Sequence, residues 1–199
     1  MFGFVLIFAF GLLLVAFRSI VIALKAILLN LLSVGAAFGV LVVVFQWGWG
    51  ESLLGFQSNG GIAFWLPIFL FVILFGLSMD YHVFILSRIR EAFDRGSSTE
   101  EAVERGIITT AGVVTSAALV MVGVFAVFAL MPILDMKEMG IGLAVAVLID
   151  ATIVRAVLLP ATMKLLGDWN WYLPSWLEWL PRLEGEGEPA PEAPPVPAH

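Results

Sequence analysis

Long stretches without a charged residue follow one another along the chain, separated by short segments that carry the charges. Four of these stretches are close to or above the roughly 18 to 20 apolar residues that a helix needs to cross a bilayer: 1–17, 26–50, 52–79 and 106–134. A further apolar stretch, at about 140–163, is interrupted only by Asp150 and Arg155. The pattern predicts five membrane-spanning segments: about 1–17, 26–46, 63–87, 107–130 and 140–163. We expect them to be helices, since an open sheet leaves backbone groups without partners in lipid.

The composition supports a membrane protein. Hydrophobic residues make up 61% of the 199 residues and charged residues only 13%, which differs strongly from soluble domains. We therefore predict an all-α polytopic protein of the cell membrane. The net charge of −6 comes largely from glutamates near the C-terminus, so no basic surface for nucleic acid is expected. With no cysteine, and only His82 and the terminal His199 as histidines, we expect neither a metal site nor a cofactor.

The basic residues predict the orientation of the chain. Two precede the predicted second span, four lie between the third and the fourth, and two follow the fifth: Arg18, Lys25, Arg88, Arg90, Arg95, Arg105, Lys164 and Arg182. Outside the spans, Lys137 alone lies on the other side. By the positive-inside rule, the connection 88–105 and the C-terminus are cytoplasmic and the N-terminus is outside. A first helix inserted in that direction without a preceding loop suggests further sequence upstream.

Three shorter segments have patterns of their own. In the connection 88–105, Ser98 and Glu101 have the spacing of a capping box, which predicts a short surface helix from that point. Residues 167–183 are rich in tryptophan and leucine at helical spacing, which is typical of an amphipathic segment at the membrane interface. The acidic, proline-rich residues 184–199 are expected to be disordered.

Small residues at helical spacing predict close packing between helices. Gly35 and Gly39 form a GxxxG pair in the second span, and Gly112 and Ser116 form a similar pair in the fourth.

The third span contains an unusual polar cluster around Asp80. Asp80 precedes Arg88 by eight residues, or about 12 Å of helix rise, which places it within the hydrocarbon. A charge near mid-membrane costs about 2.5–3.5 kcal/mol, so a carboxylate there indicates function by default. Asp80 and Tyr81 are candidates for a proton relay, with Ser78 and His82 one turn apart on another face. We expect His82 to lie near the inner interface.

A structural role for the same residues stays open. Asp80 and Tyr81 would then donate and accept hydrogen bonds across to the fourth span, which offers four hydroxyl groups: Thr109, Thr110, Thr115 and Ser116. We therefore count Ser78, His82, Thr115 and Ser116 as relay or structural support.

Asp150 and Arg155 interrupt the last span. Five residues apart, they lie on different faces of an α-helix, so we expect no direct pairing between them. Arg155 is expected to reach toward the cytoplasmic side, and Asp150 to find a partner on a neighbouring helix. A relay role and a structural role for Asp150 both stay open.

Enzyme classes find little support in the sequence. Asp80 and Asp150 are the residue types of an aspartyl protease dyad, but SMDYH and LIDAT lack the Gly-Asp setting of intramembrane aspartyl proteases. Around Ser78, GLSMD lacks the second glycine of the serine hydrolase motif, and no P-loop is present to bind ATP. The remaining hypotheses are proton-coupled transport and a non-transporting structural or accessory subunit.

Three segments, in this order, resemble the C-terminal helices of MMPL-type transporters: FLFVILFGLSMDYHVFILSRIREAF, ERGIITTAGVVTSAALVMV and GIGLAVAVLIDATIVRAVLLPATMKLLGDWNWYLP. The resemblance runs through most of residues 1–183. MMPL proteins belong to the resistance-nodulation-division superfamily, whose members have twelve helices in two halves and large extracytoplasmic domains. By this resemblance the five spans correspond to the eighth to twelfth helices.

The resemblance also implies a function. It implies proton-driven export of lipids or other hydrophobic compounds, through one Asp–Tyr pair on the fourth helix and another on the tenth. Asp80 and Tyr81 match the second pair, and Ser78 lies in the same motif. The sequence contains neither the first half nor the extracytoplasmic domains. We therefore expect a C-terminal portion that is not competent alone; its expected partners are the bilayer, protons, a hydrophobic substrate and an N-terminal half in cis or in trans.

Overall fold

The computed structural model describes residues 2–49, 51–58, 60–177 and 179. This part of the chain contains helices and turns but no β-strand. The helices are α1 (Phe2–Phe17), α2 (Ile20–Leu41), α3 (Glu51–Leu54), α4 (Leu66–Asp94), α5 (Thr99–Ala129), α6 (Leu134–Ile149) and α7 (Leu159–Leu166). A π-helical turn, Val42–Gln46, extends α2, and a longer π-helical segment, Asp150–Leu158, joins α6 to α7. Two 3₁₀ turns follow, Gly167–Trp171 and Ser175–Leu177.

Four continuous helical stretches are long and apolar enough to cross a membrane: Ile20–Gln46, Leu66–Asp94, Thr99–Ala129 and Leu134–Trp171. The apolar helix α1 is shorter, with 16 residues, or about 24 Å of rise against a hydrocarbon core of about 30 Å. The chain is thus an all-α polytopic membrane protein, and the predicted fold class is confirmed.

The second spanning helix begins earlier than the predicted span. Ser19 is its N-cap, and the Ser19 hydroxyl accepts a hydrogen bond from the backbone N–H of Ile22 at 3.2 Å, as is usual at a helix start. Lys25 therefore lies inside α2 rather than in the connection before it, and it is buried.

The connection between α4 and α5 is only four residues long, because α4 continues to Asp94. The predicted capping box is present: Glu101 N donates to Ser98 Oγ at 3.3 Å, and Ser98 N donates to a Glu101 carboxylate oxygen at 3.3 Å. The short surface helix predicted from this motif is wrong, since the helix that begins there is α5, which runs on for 31 residues. Its apolar continuation from Ile107 carries it into the next span without a break.

Two glycines allow neighbouring helices to approach closely. A Cβ atom added to Gly106 of α5 would lie 2.4 Å from Cγ1 of Ile89 in α4. One added to Gly140 of α6 would lie 2.6 Å from the backbone nitrogen of Ala129 in α5. These two contacts hold α5 against both of its main neighbours.

The small-residue pairs that the sequence singled out do not mediate packing inside this chain. Apart from the neighbouring residues and backbone of the same helix, nothing in the described residues lies within 4 Å of a Cβ added to Gly35, Gly39 or Gly112. That prediction is wrong here because spacing alone does not tell which face of a helix meets a neighbour.

Two apolar clusters form the interior, and polar residues lie between them. One cluster includes Leu41, Phe45, Leu66, Leu70, Met139 and Leu143. The other includes Ile22, Ala26, Ile85, Ile89, Leu159 and Met163. Three spans run from one cluster to the other, and between them they carry six polar residues that are at most 7% exposed: Asn30, Ser33, Ser78, His82, Asp150 and Arg155. We call these six residues the polar layer.

The segment after α7 packs against the start of α2. Asn170 is fully buried, and its backbone oxygen accepts a hydrogen bond from Ser19 Oγ at 2.5 Å. Its side-chain oxygen accepts one from Lys25 Nζ at 2.8 Å, and its amide nitrogen donates to the backbone oxygen of Met163 at 2.7 Å. Asn170 thus links the C-terminal turn to two residues of the second span.

Trp171 makes the corresponding contact with α4 and α5. Its ring stacks on Phe93 at 4.4 Å between centroids, and its Nε1 donates to Thr99 Oγ1 at 3.3 Å. Thr99 Oγ1 donates in turn to Asp168 at 2.9 Å. The interfacial segment predicted at 167–183 begins with these two 3₁₀ turns. The described residues do not include 178 and 180–183 of that segment, nor the tail at 184–199 that was predicted to be disordered.

Candidate functional site

The π-helical winding of the last span brings Asp150 and Arg155 together. Arg155 Nε donates to Asp150 Oδ2 at 2.7 Å, and Nη2 donates to the same oxygen at 2.5 Å. Their side chains are 10% and 3% exposed. The prediction that these residues do not pair is wrong, because it assumed an α-helix, in which five residues turn through about 500° and leave the side chains about 140° apart. In a π-helix the fifth residue follows one turn later.

The burial of Arg155 corrects a second expectation. Its guanidinium does not reach toward the cytoplasmic side, since it is directed at Asp150 and at the backbone oxygen of Ser78, to which Nη2 donates at 2.7 Å. Pro160, just after the π-helical segment, lacks a backbone N–H and so leaves one carbonyl of this segment without its usual donor. The break in the hydrogen-bond pattern and the ion pair both favour the wider winding.

Two serines on other helices complete the coordination of Asp150. Its Oδ1 accepts a hydrogen bond from Ser33 Oγ of α2 at 3.1 Å and from Ser78 Oγ of α4 at 2.9 Å. The expectation that Asp150 finds a partner on a neighbouring helix is therefore confirmed. The network joins three spans, and both oxygens of the carboxylate have partners, as a buried charge requires.

Sequence reasoning missed Ser33 and its neighbour Asn30 in this site. They lie three residues apart, and therefore on one face of α2, within an otherwise apolar run. That spacing was the available signal, since both polar side chains had to face the protein interior to avoid lipid.

Tyr81 lies beside the ion pair. The Arg155 guanidinium carbon is 4.7 Å from the centroid of its ring, which is within the range of a cation–π contact. The Tyr81 hydroxyl donates to Met121 Sδ on α5 at 3.5 Å, and a thioether is a weak acceptor. Its hydroxyl therefore keeps most of its capacity for a stronger partner.

Asp80 lies outside the network. Its side chain is exposed, with no hydrogen bond or ion pair to any described residue. The structure therefore brings Ser78, Tyr81 and Asp150 together, whereas Asp80 lies next to Tyr81 along the chain but on the open surface of α4.

His82 is buried inside the protein. It is 1% exposed, and neither ring nitrogen has a hydrogen-bond partner among the described residues. His82 is therefore not an exposed polar side chain, because the face of α4 that carries Ser78 also carries His82 one turn later, and that face turns inward. Its position near the inner interface stays a prediction.

The hydroxyl groups of α5 do not bind Asp80. Thr109 Oγ1 and Thr110 Oγ1 donate to backbone oxygens of their own helix, including that of Gly106, and Ser116 Oγ donates to Val113 O. Thr115 and Ser116 are both exposed. The alternative that these groups hold Asp80 by hydrogen bonds is therefore wrong within this chain.

The described residues thus contain a buried Asp–Arg pair with two serine donors. The half-buried Tyr81 and the exposed Asp80 lie next to it. A profile described as the MMPL family matches residues 2–184. The chain belongs to the MMPL family. The matched region includes all the spans described above, the polar layer, and Asp80 and Tyr81.

Among the MMPL relatives is a protein of Mycolicibacterium smegmatis named mycolic acid-containing lipids exporter MmpL11. It is 47% identical over 192 residues, which are 96% of this chain and 20% of the relative. A Mycobacterium tuberculosis protein named heme uptake protein MmpL11 is 48% identical over 174 residues, 87% of this chain and 18% of the relative. The trehalose monomycolate exporter MmpL3 of Mycolicibacterium smegmatis is 40% identical over 173 residues, 87% of this chain and 17% of the relative. The chain spans about a fifth of the length of these relatives.

Proposed function

We propose that this chain is the C-terminal membrane portion of an exporter of lipids or other hydrophobic compounds, driven by the proton-motive force. Asp80 and Tyr81 are part of its proton relay. The observation that carries this proposal is the exposed carboxylate of Asp80, without a partner in this chain, beside a tyrosine that contacts the buried Asp150–Arg155 pair.

The energetics favour a functional role for Asp80. A carboxylate at this depth costs about 2.5–3.5 kcal/mol if it only faces lipid, and no described residue of this chain offsets that cost. One proton that crosses the membrane releases about 2.3 kcal/mol per 100 mV. A carboxylate that binds and releases a proton at mid-membrane couples transport to the energy of the proton gradient. This role explains why a costly carboxylate is present at this depth.

An N-terminal half, supplied in cis or in trans, covers the face of α4 and α5 that carries Asp80. The face is open in this chain: Asp80, Thr115 and Ser116 are exposed, and only 11% of the apolar part of α5 is buried. Sequencing the DNA upstream of the Met1 codon tests this step. An open frame that encodes further spans, or a separate gene for such a half, supports it; the absence of both favours a chain that works without one.

The proposed cargo class rests on the names of the relatives. One relative is named as an exporter of mycolic acid-containing lipids, another as an exporter of trehalose monomycolate, and a third as a heme uptake protein. All three names indicate large, largely apolar compounds. We propose that the basic connection 88–105 and the C-terminus face the cytoplasm. Export then moves the cargo away from the cytoplasmic side.

A non-transporting structural subunit is the second candidate. The observation in its favour is the polar layer, in which Asp150 binds Ser33, Ser78 and Arg155 at once and so already has a structural explanation. Asp80 is not part of that network, so a test of Asp80 distinguishes the transporter from the structural subunit.

The experiment is an export assay in cells that depend on the full-length protein. Asp80→Asn keeps the size of the side chain but cannot titrate, so export should be lost while membrane insertion is retained. The matched control is Asp94→Asn on the same helix, where Asp94 is 54% exposed and pairs with Arg90; export should persist. Normal export with Asp80→Asn would overturn the relay and leave the structural role.

A further inference from the structure

A small cavity lies in the polar layer and adjoins the ion pair. Residues of α2, α4, α5 and the last span line it, among them Asn30, Ser33, Tyr81, Ala118, Asp150 and Arg155. The space open to the centre of a water-sized molecule is about 20 Å³. A single water needs about 10–15 Å³ by this measure, so the cavity has room for one.

Two buried polar atoms in the lining residues lack partners among the described residues. They are Asn30 Oδ1 and Arg155 Nη1, and their residues are 1% and 3% exposed. The Asn30 amide nitrogen donates to the backbone oxygen of Phe75 at 3.4 Å, which leaves the side-chain oxygen as the atom without a partner. One of the two free atoms is thus an acceptor and the other a donor. An unpaired buried group of either kind costs about 1–3 kcal/mol, and more when it is charged.

A free acceptor and a free donor beside a neutralised ion pair limit the kind of ligand that the cavity can bind. A cation would suit Asn30 Oδ1 and the serine hydroxyls but would meet the Arg155 guanidinium. An anion would suit Arg155 Nη1 but would meet the Asp150 carboxylate. Because Asp150 and Arg155 already neutralise each other, the cavity needs a neutral molecule that accepts one hydrogen bond and donates another.

We propose that this cavity is a hydration site that holds one water molecule inside the membrane-spanning region, bound between Asn30 and Arg155. The water accepts from Arg155 Nη1 and donates to Asn30 Oδ1, so that both orphaned atoms gain a partner. It joins α2 to the last span at the level of Asp150. The site does not depend on the proposed export, since water would occupy it in a purely structural protein as well.

The test is X-ray hydroxyl-radical labelling of the full-length protein in bilayer discs, read by mass spectrometry. Radicals formed from a bound water oxidise the side chains beside it, while buried side chains in dry surroundings stay unlabelled. The reporter is Leu74, which lines the cavity and is 5% exposed. The control is Leu41, a buried leucine outside the cavity lining, so both have the same intrinsic reactivity.

We expect Leu74 to be labelled well above Leu41 in the unmodified protein. In Asn30→Leu, which keeps the volume but removes the acceptor, labelling of Leu74 should fall to the level of Leu41. In Ala118→Val, which fills the cavity without changing a polar group, it should fall in the same way; this second variant serves if Asn30→Leu does not fold. Equal labelling of Leu74 and Leu41 in the folded unmodified protein, or labelling of Leu74 that neither variant reduces, would overturn the hydration site.

Discussion

The buried ion pair of the last span should be strongly coupled, and removing one partner should cost far more than removing both. In Arg155→Leu, Asp150 keeps the two serine donors but loses both hydrogen bonds to Oδ2, at 2.7 and 2.5 Å. Hydrogen bonds to a charged group contribute about 1.5–3 kcal/mol each, so the two sum to about 3–6 kcal/mol. Breaking a buried pair from one side typically costs about 3–5 kcal/mol. We therefore expect a loss of about 3–5 kcal/mol in the free energy of unfolding.

The double variant Asp150→Leu, Arg155→Leu should recover most of this loss. Replacing a buried pair by apolar residues of similar size is often neutral or stabilising. The hydroxyls of Ser33 and Ser78 would then bond to backbone oxygens of their own helices, as Thr110 and Ser116 already do. The π-helical winding should also relax, since the salt bridge no longer holds it.

Steric trapping in bicelles measures the unfolding free energies of these variants. The control is Arg88→Leu, which removes the surface bridge between Arg88 and Glu91, whose side chains are 52% and 39% exposed. A bridge of this kind contributes about 0–1 kcal/mol. The single variant Asp150→Leu completes the comparison. If Arg155→Leu lost no more stability than Arg88→Leu, or if the double variant lost the sum of the losses in Asp150→Leu and Arg155→Leu, the coupling derived from the geometry would be refuted.

Three further predictions concern packing and helix ends, each measured by the same unfolding free energies. Gly140→Ala should lower the free energy of unfolding by about 1–3 kcal/mol through overpacking, because the added Cβ would lie 2.6 Å from α5. Gly112→Ala, with open space around the added Cβ, should leave it unchanged. Equal losses in the two variants would contradict the close approach of α6 and α5. Asn170→Leu should lose about 1–3 kcal/mol or more, since Lys25 Nζ, bonded to Asn170 at 2.8 Å, would stay buried without that acceptor, and an unchanged stability would exclude this link. Ser98→Ala should lose about 1 kcal/mol by removing the cap of α5, and Ser98→Thr, which keeps the hydroxyl, should lose less.

Hydropathy and local signals predicted much of the fold. The apolar runs identified the spanning regions because a helix in lipid must satisfy its own backbone and hide its charges, a constraint that acts along the sequence itself. The capping box at Ser98 was also readable, since its partners are three residues apart. The length of α5 was not, because the prediction treated the charged turn as a separate element.

The candidate site was less predictable, since it depends on how helices meet. Spacing on an ideal α-helix put Asp150 and Arg155 apart, and only the π-helical winding brings them together. Ser33 and Asn30 carry no motif, and their role follows from the face of α2 that packs inward. The prediction treated Asp80 and Tyr81 as one pair, but their side chains have different surroundings in the structure. Tyr81 contacts the ion pair, and Asp80 faces outward.

The measurement that tests the central proposal most directly is proton flux into proteoliposomes that contain the full-length protein, followed with an internal pH-sensitive dye under an imposed membrane potential. Our account predicts flux with the unmodified protein, none above background with Asp80→Asn, and unchanged flux with Asp94→Asn. Tyr81→Phe should reduce the flux less than Asp80→Asn, because the ring that Arg155 contacts is kept and only the hydroxyl is lost. Flux through Asp80→Asn equal to that of the unmodified protein would contradict the proposal that Asp80 carries the proton.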